Sequence, residues 1–133
     1  MFRNFKMKFE YRYVINDNAV ICFAKPAMSK TVIDPWFKLY CTVNEQRPKN
    51  LIPYEYKGIA KLKDGDINDI EAAKAIARSK AVRAAFKGFR NLANEIFDYF
   101  VREISDFGGT LMSIDKKIEE VDAEIQELAH PNK

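Results

Sequence analysis

The feature that most constrains this chain is an unbroken helical pattern over about residues 69–106 whose two faces differ in kind. Phe86, Phe89, Ala93, Ile96, Phe97, Phe100 and Ile104 follow the apolar spacing of an amphipathic helix. Between Ala72 and Asn94 every charged residue is a cation: Lys74, Arg78, Lys80, Arg83, Lys87 and Arg90. A helix of roughly 37 residues at ~1.5 Å per residue is on the order of 55 Å long. In a chain of 133 residues the remainder is too small to cover such a helix, so the pattern predicts that it packs against a copy of itself.

The helix ends have their own signals. Asn68 followed by Glu71 fits a variant capping box, and Asp69 and Glu71 favour the positive end of the helix dipole. Gly108-Gly109 is expected to stop the helix near Phe107. Thr110 or Ser113 would then cap a second helix reaching about residue 129. There Leu111, Ile114, Ile118, Val121, Ile125 and Leu128 repeat at spacings of 3, 4, 3, 4 and 3, a seam suited to helix–helix packing. The seam does not say whether its partner is the chain's own first helix or another subunit.

The N-terminal half reads as strands. Phe9, Tyr11, Tyr13 and Ile15 alternate with Lys8, Glu10, Arg12 and Val14, and Asn16-Asp17-Asn18 supplies a turn into a second strand from Ala19 to Lys25. Ser29 to Ile33 reads as a short strand. Trp36 to Val43 reads as a clear one, with Phe37, Leu39, Cys41 and Val43 on one face. After a loop with Pro48 and Pro53, Tyr54 to Lys63 is a further strand, and Asp64-Gly65-Asp66 is a turn. The expected fold is α+β: a small antiparallel sheet of four or five strands over residues 1–66, then an oligomerising helical region over 67–133, together one structural unit.

Charge is distributed unevenly. The net charge is only +3, but residues 72–94 carry six cations and no acid, while residues 115–127 carry six acids against Lys116 and Lys117. Opposed blocks of this kind suit pairing within an oligomer, or a basic site with a separate acidic surface. Cys22 and Cys41 have no metal-binding spacing and read as small buried hydrophobes of a reducing compartment. No segment reads as a signal peptide or a membrane span, so a cytoplasmic location is expected.

Catalytic chemistry finds little to use here. The single histidine, His130, lies in the tail beside Pro131, and no phosphate loop, dinucleotide fingerprint or nucleophile elbow is present. Asp64, Asp66 and Asp69 cluster, but capping and turn formation account for them. The expectation is a non-enzyme without cofactor or metal. The candidate site is the basic helix face. Lys80, Arg83, Lys87 and Arg90 are spaced 3, 4 and 3 and form one stripe, with Arg78 as support. Arginine presents a planar fork to phosphate and lysine a point charge. Phe86 and Phe89 fall between these cations and serve either as core or as stacking surfaces, and Asn91 and Asn94 could read a polar edge beside the stripe. The alternative is a solvated face paired with the acidic block.

From Gly58 to Ala81 the chain reads G-I-A-K-L-K-D-G-D-I-N-D-I-E-A-A-K-A-I-A-R-S-K-A. This resembles a pattern of small phage and prophage proteins, roughly G-x-A-x-C-x-P-x-D-x-F-D-x-x-x-G-x-x-I-A-x-x-R-A, at the junction of a last strand and a long helix. Gly58, Ala60, Asp66, Asp69, Ile76, Ala77 and Ala81 fit it. Leu62, Asp64, Asn68, Ala73 and Lys80 stand where it has cysteine, proline, an aromatic, glycine and arginine. The overall plan also resembles the first Thoeris anti-defence family, phage proteins that bind and sequester cyclic ADP-ribose-type signals or cyclic oligonucleotides without cleaving them. The two helices are expected to hold a homodimer or higher even oligomer, and the resemblance implies a small anionic nucleotide held where subunits meet, with arginines and an aromatic on its phosphates and base. No ligand contact of that family maps onto a numbered residue here, so the site rests on the basic stripe. The alternatives are a phage inhibitor of a host protein complex, such as an anti-CRISPR or a polymerase-binding protein, and a nucleic-acid-binding protein using the same stripe.

Overall fold

Residues 4–27, 31–62 and 69–130 are described by a computed structural model of the chain. Their elements follow in the order β1 (Phe9–Ile15), β2 (Ala19–Pro26), α1 (Asp34–Asn44), β3 (Tyr56–Lys61) and α2 (Ile70–Ala129). The architecture is α+β, as expected: an antiparallel sheet in the order β1-β2-β3, then a long C-terminal helix. The chain divides into two compact units, Met1–Ile96 and Phe97–Lys133, and α2 contributes residues to both. The boundary expected at residues 66–67, the Asp64-Gly65-Asp66 turn and the Asn68 cap lie outside the described residues.

In the first unit the hairpin forms where the turn residues place it. The Asn16 carboxamide oxygen accepts the N–H groups of Asn18 (2.9 Å) and Ala19 (2.8 Å), and Asn16 N–H donates to the Ala19 carbonyl (3.0 Å). β1 and β2 then pair from Ile15↔Val20 to Phe9↔Pro26, and β3 pairs with β2 from Ala19↔Lys61 to Ala24↔Tyr56. β2 is therefore central, and its inward residues Val20, Cys22 and Ala24 are fully buried. β3 alternates strictly, with Tyr56, Gly58 and Ala60 inward and Lys57, Ile59 and Lys61 outward.

α2 covers the sheet with a row of alanines. Ala73, Ala77, Ala81 and Ala85, each four residues from the next, are buried, and the first three share one cluster with Val20, Cys22, Ala24 and Ala60. Helix and sheet backbones approach closely at Gly58. A Cβ built there would run into the Ala77 carbonyl oxygen and the Ala81 nitrogen. The glycine is thus required by the approach of the helix backbone. Gly58, Ala60, Ala77 and Ala81 all belong to the Gly58–Ala81 pattern noted in the sequence, and all four sit at this strand–helix contact.

Two expectations are corrected. The segment 36–43 is helix α1, not a strand, and the described residues form three strands rather than four or five. Local start signals decide it. The Asp34 carboxylate accepts the Thr31 N–H and hydroxyl (both 3.0 Å), Phe37 N–H donates to the Ile33 carbonyl (2.9 Å), and Pro35 occupies the first turn. The inward residues Phe37, Tyr40, Cys41 and Asn44 have helical spacing, while Leu39 and Val43, which a strand would place on one face with Phe37 and Cys41, are exposed. Of the short strand expected at Ser29–Ile33, residues 31–33 form the turn into α1, and the rest lies outside the described residues.

The second correction concerns Gly108-Gly109, which does not end a helix. One helix continues to Ala129, so no separate helix begins at Thr110. The Thr110 hydroxyl bonds back to the Asp106 carbonyl (3.2 Å) inside the helix instead of capping a new one. Each glycine weakens a helix by about 1 kcal/mol relative to alanine, too little to stop one with strong helical sequence on both sides. In the second unit, no described residue is buried. No helix among the described residues is long and apolar enough to cross a membrane.

Candidate anion-binding face

The alanine row fixes which way the rest of α2 points. With 3.6 residues per turn, Lys80, Arg83, Lys87, Arg90, Asn91 and Asn94 fall within roughly 100° of arc, beside the arc of the buried row. All six are exposed. The stripe read from the sequence is therefore brought together on the outer face of α2 in the first unit. From Lys80 to Arg90 it extends about 15 Å along the helix at 1.5 Å per residue. Among the described residues no carboxylate forms an ion pair with any of its four cations; the ion pairs present are Arg12–Glu55 (2.9 Å), Lys74–Glu71 (3.5 Å) and Lys117–Glu120 (3.3 Å).

The cations differ in what holds them. Lys80 Nζ donates to the Ile59 carbonyl (3.1 Å) on the outer edge of β3, which anchors its stem at one side of the stripe. Arg78 lies apart from the stripe, its guanidinium 5.8 Å from the centre of the Tyr11 ring, and Lys74 lies 5.6 Å from that of Tyr13. These two cations line the β1 flank of the helix. Near the start of the stripe, Ala75, Ile76, Ser79, Lys80 and Arg83 border a shallow hollow of about 330 Å³ that is open to solvent.

The two aromatics of the candidate site take other places. Phe89 is 8% exposed, and its ring packs 5.2 Å from that of Phe5. Phe86 is 42% exposed and makes edge contacts with Phe5 (5.8 Å) and Phe9 (6.0 Å). Phe89 thus serves the core, and Phe86 stays partly exposed beside the stripe. The outer face as it stands offers charge and amide groups, with one partly exposed aromatic ring.

Sequence reasoning missed a polar centre at Glu95. Its carboxylate accepts the Lys49 N–H (2.6 Å), the Asn50 N–H (2.8 Å) and the Asn50 side-chain amide (2.8 Å), with the Tyr40 hydroxyl at 3.5 Å. Burial opposes its ionisation, but these donors outweigh burial and hold the carboxyl below the ordinary glutamate range. The arrangement ties the α1–β3 connection to α2 and is structural. No spacing in the sequence points to it, because the partners are 45 residues or more apart.

Other reactive groups are quiet. Both cysteines are free, and burial pushes the Cys22 thiol up, against a hydrogen bond from Tyr13 and the charge of Arg78. Among the described residues no group of three His, Cys, Asp or Glu side chains could hold a metal ion. The Tyr56 hydroxyl is buried without a hydrogen-bond partner among the described residues, packed where a Cβ on Gly88 would meet it at 2.5 Å. No protein-family model, curated protein or solved structure matches the chain.

Proposed function

We propose that this chain is a non-enzymatic protein that binds a phosphate-bearing ligand through the outer face of α2 and holds it without turnover. The observation that carries the reading is the row Lys80, Arg83, Lys87 and Arg90, exposed and free of ion pairs among the described residues. Apart from the Lys80 bond to the Ile59 carbonyl, no hydrogen bond or ion pair to the fold is seen for these cations among the described residues, and a like-charged row weakens its own helix. An anionic partner accounts for a row of which only Lys80 is tied to the sheet among the described residues. The ligand class that fits the resemblance to phage anti-defence proteins is a small anionic nucleotide, a cyclic ADP-ribose-type signal or a cyclic oligonucleotide, sequestered in the cytoplasm of the host cell. Arg83, Lys87 and Arg90 would take phosphate oxygens, Lys80 and Arg78 would support them, Asn91 and Asn94 would contact sugar or base edges, and Phe86 would offer its exposed part to a base.

Charge-assisted hydrogen bonds contribute about 1.5–3 kcal/mol each. The double substitution Arg83→Glu with Arg90→Glu is therefore expected to lower affinity at least ~100-fold. It should leave the fold intact, because both side chains face away from the sheet. Native mass spectrometry of the protein with cyclic ADP-ribose isomers and cyclic di- and trinucleotides tests the reading. A nucleotide retained intact by the wild type and lost by the double variant supports it; equal retention by both removes the assigned face.

A second reading has its own observation. The row is open along about 15 Å instead of enclosed, which suits successive phosphates of a nucleic-acid strand. In that case log affinity falls with log salt at a slope of about −0.7 to −0.9 per phosphate contact, so roughly −3 for four contacts, and depends little on the ligand's identity. A bound small nucleotide should show a shallower slope and strong dependence on structure.

A further inference from the structure

The apolar seam of α2 runs further than the stretch after Gly108-Gly109. Phe97, Ile104, Leu111, Ile118 and Ile125 recur every seven residues. Phe100, Phe107, Ile114, Val121 and Leu128 recur in the same way, three residues behind each. The 3,4 spacing thus holds in one phase over the whole helix of the second unit, across both glycines. Nine of these ten side chains are 50–74% exposed, and no described residue of the unit is buried. Together they expose on the order of 1,000 Å² of apolar surface, more than the roughly 300–600 Å² of the largest patch on a typical monomer and comparable to the ~800 Å² per partner of a standard interface.

We infer that residues 97–128 form a parallel, in-register coiled coil with two or three further copies of this chain. A second copy is the partner that fits, because a strict heptad seam is complementary to itself. The surface already has the matching relief. Ile114, Lys117, Ile118 and Val121, flanked by Ser113 and Asp122, ring a hollow of about 320 Å³. Those four are the positions that form the hole for an incoming Ile118 knob in a parallel coil.

Charge sets the direction. In the parallel register, Lys117 beside the seam faces Asp122 of the neighbouring copy, an attractive pair repeated around the axis. An antiparallel pairing that overlaps the full seam sets Glu103 against Glu124 of the other copy, which repels. The seam residues set the number. Leu111 followed by Ile114, and Ile118 followed by Val121, place β-branched side chains at the position where a two-chain coil takes leucine. That arrangement shifts the preference to three or four chains. This inference does not rest on the anion-binding reading.

Sedimentation equilibrium of the full chain at tens of micromolar is expected to give three or four times the 15.4 kDa chain mass. Ile118→Asp is expected to return the mass to a single chain with Trp36 emission unchanged. Should that variant fail to fold, a second one decides. Leu128→Cys is expected to form a disulfide between copies through position 128 under mild oxidation, identified by peptide mass spectrometry and absent from the wild type. A wild-type mass of one or two chains overturns the inference. So does an assembly of the expected mass in which position 128 never cross-links.

Discussion

At the scale of single residues, two positions carry more of the fold than their chemistry announces. Gly58 lies where the backbone of α2 meets β3, and a methyl group there would run into helix backbone at Ala77 and Ala81 and into the Lys80 Cβ. Gly58→Ala is expected to destabilise the protein by about 3 kcal/mol, as overpacking of a rigid contact does, measured as a lower urea midpoint. Glu95 is the other. Its folded-state ionisation lies below the ordinary glutamate range because the Lys49 and Asn50 donors outweigh burial. A depressed carboxylate contributes stability that is fully present above the unfolded value, about 4.3 for glutamate, and lost as pH falls through the folded value. Glu95→Gln is therefore expected to lower stability at neutral pH by about 1–2 kcal/mol. The gap to wild type should close below pH ~4; denaturant unfolding at pH 7 and pH 3 measures both. A gap that persists undiminished at pH 3 would show that the carboxylate's charge is not what holds the connection.

At the scale of elements, α1 and α2 show which local signals prevail. The string Trp36 to Val43 holds two periods at once: an alternation that reads as strand, and the 37, 40, 41, 44 spacing that the helix buries. The Thr31–Asp34 hydrogen bonds and Pro35 start a helix, and the second period then meets the core. In α2 the two glycines signal a stop, but the apolar seam keeps its phase across them, and phase is kept only if the helix continues. A Cβ added at Gly108 or Gly109 meets nothing within 4 Å. Gly108→Ala with Gly109→Ala is accordingly expected to stabilise the helix by about 1 kcal/mol per site, seen as a higher thermal midpoint of the 222 nm dichroism. A drop in that midpoint would mean that the glycines serve a close contact with another chain.

For the whole molecule, α2 is the organising element. Its alanine row builds the first unit against the sheet, its outer face there carries the unpaired cations, and its residues in the second unit carry the seam. The hairpin at Asn16, the alternation of β3, the basic stripe and the 3,4 seam were all legible in the sequence, because each depends on residues within a few turns or one hairpin of one another. The alanines at 73, 77, 81 and 85 form a pattern in the sequence that does not mark them as core, since alanine signals helix more strongly than it signals burial. Gly58 against Ala77, Phe5 against Phe89, and Glu95 holding Lys49 and Asn50 were not legible. These contacts join residues 19 to 84 positions apart, and no local period encodes which distant surface an inward face will meet. Where apolar residues and charges repeat is written in the order of the residues. Which of those repeats are buried is settled by folding, because close packing selects partners by shape and distance, and those exist only once the chain has folded.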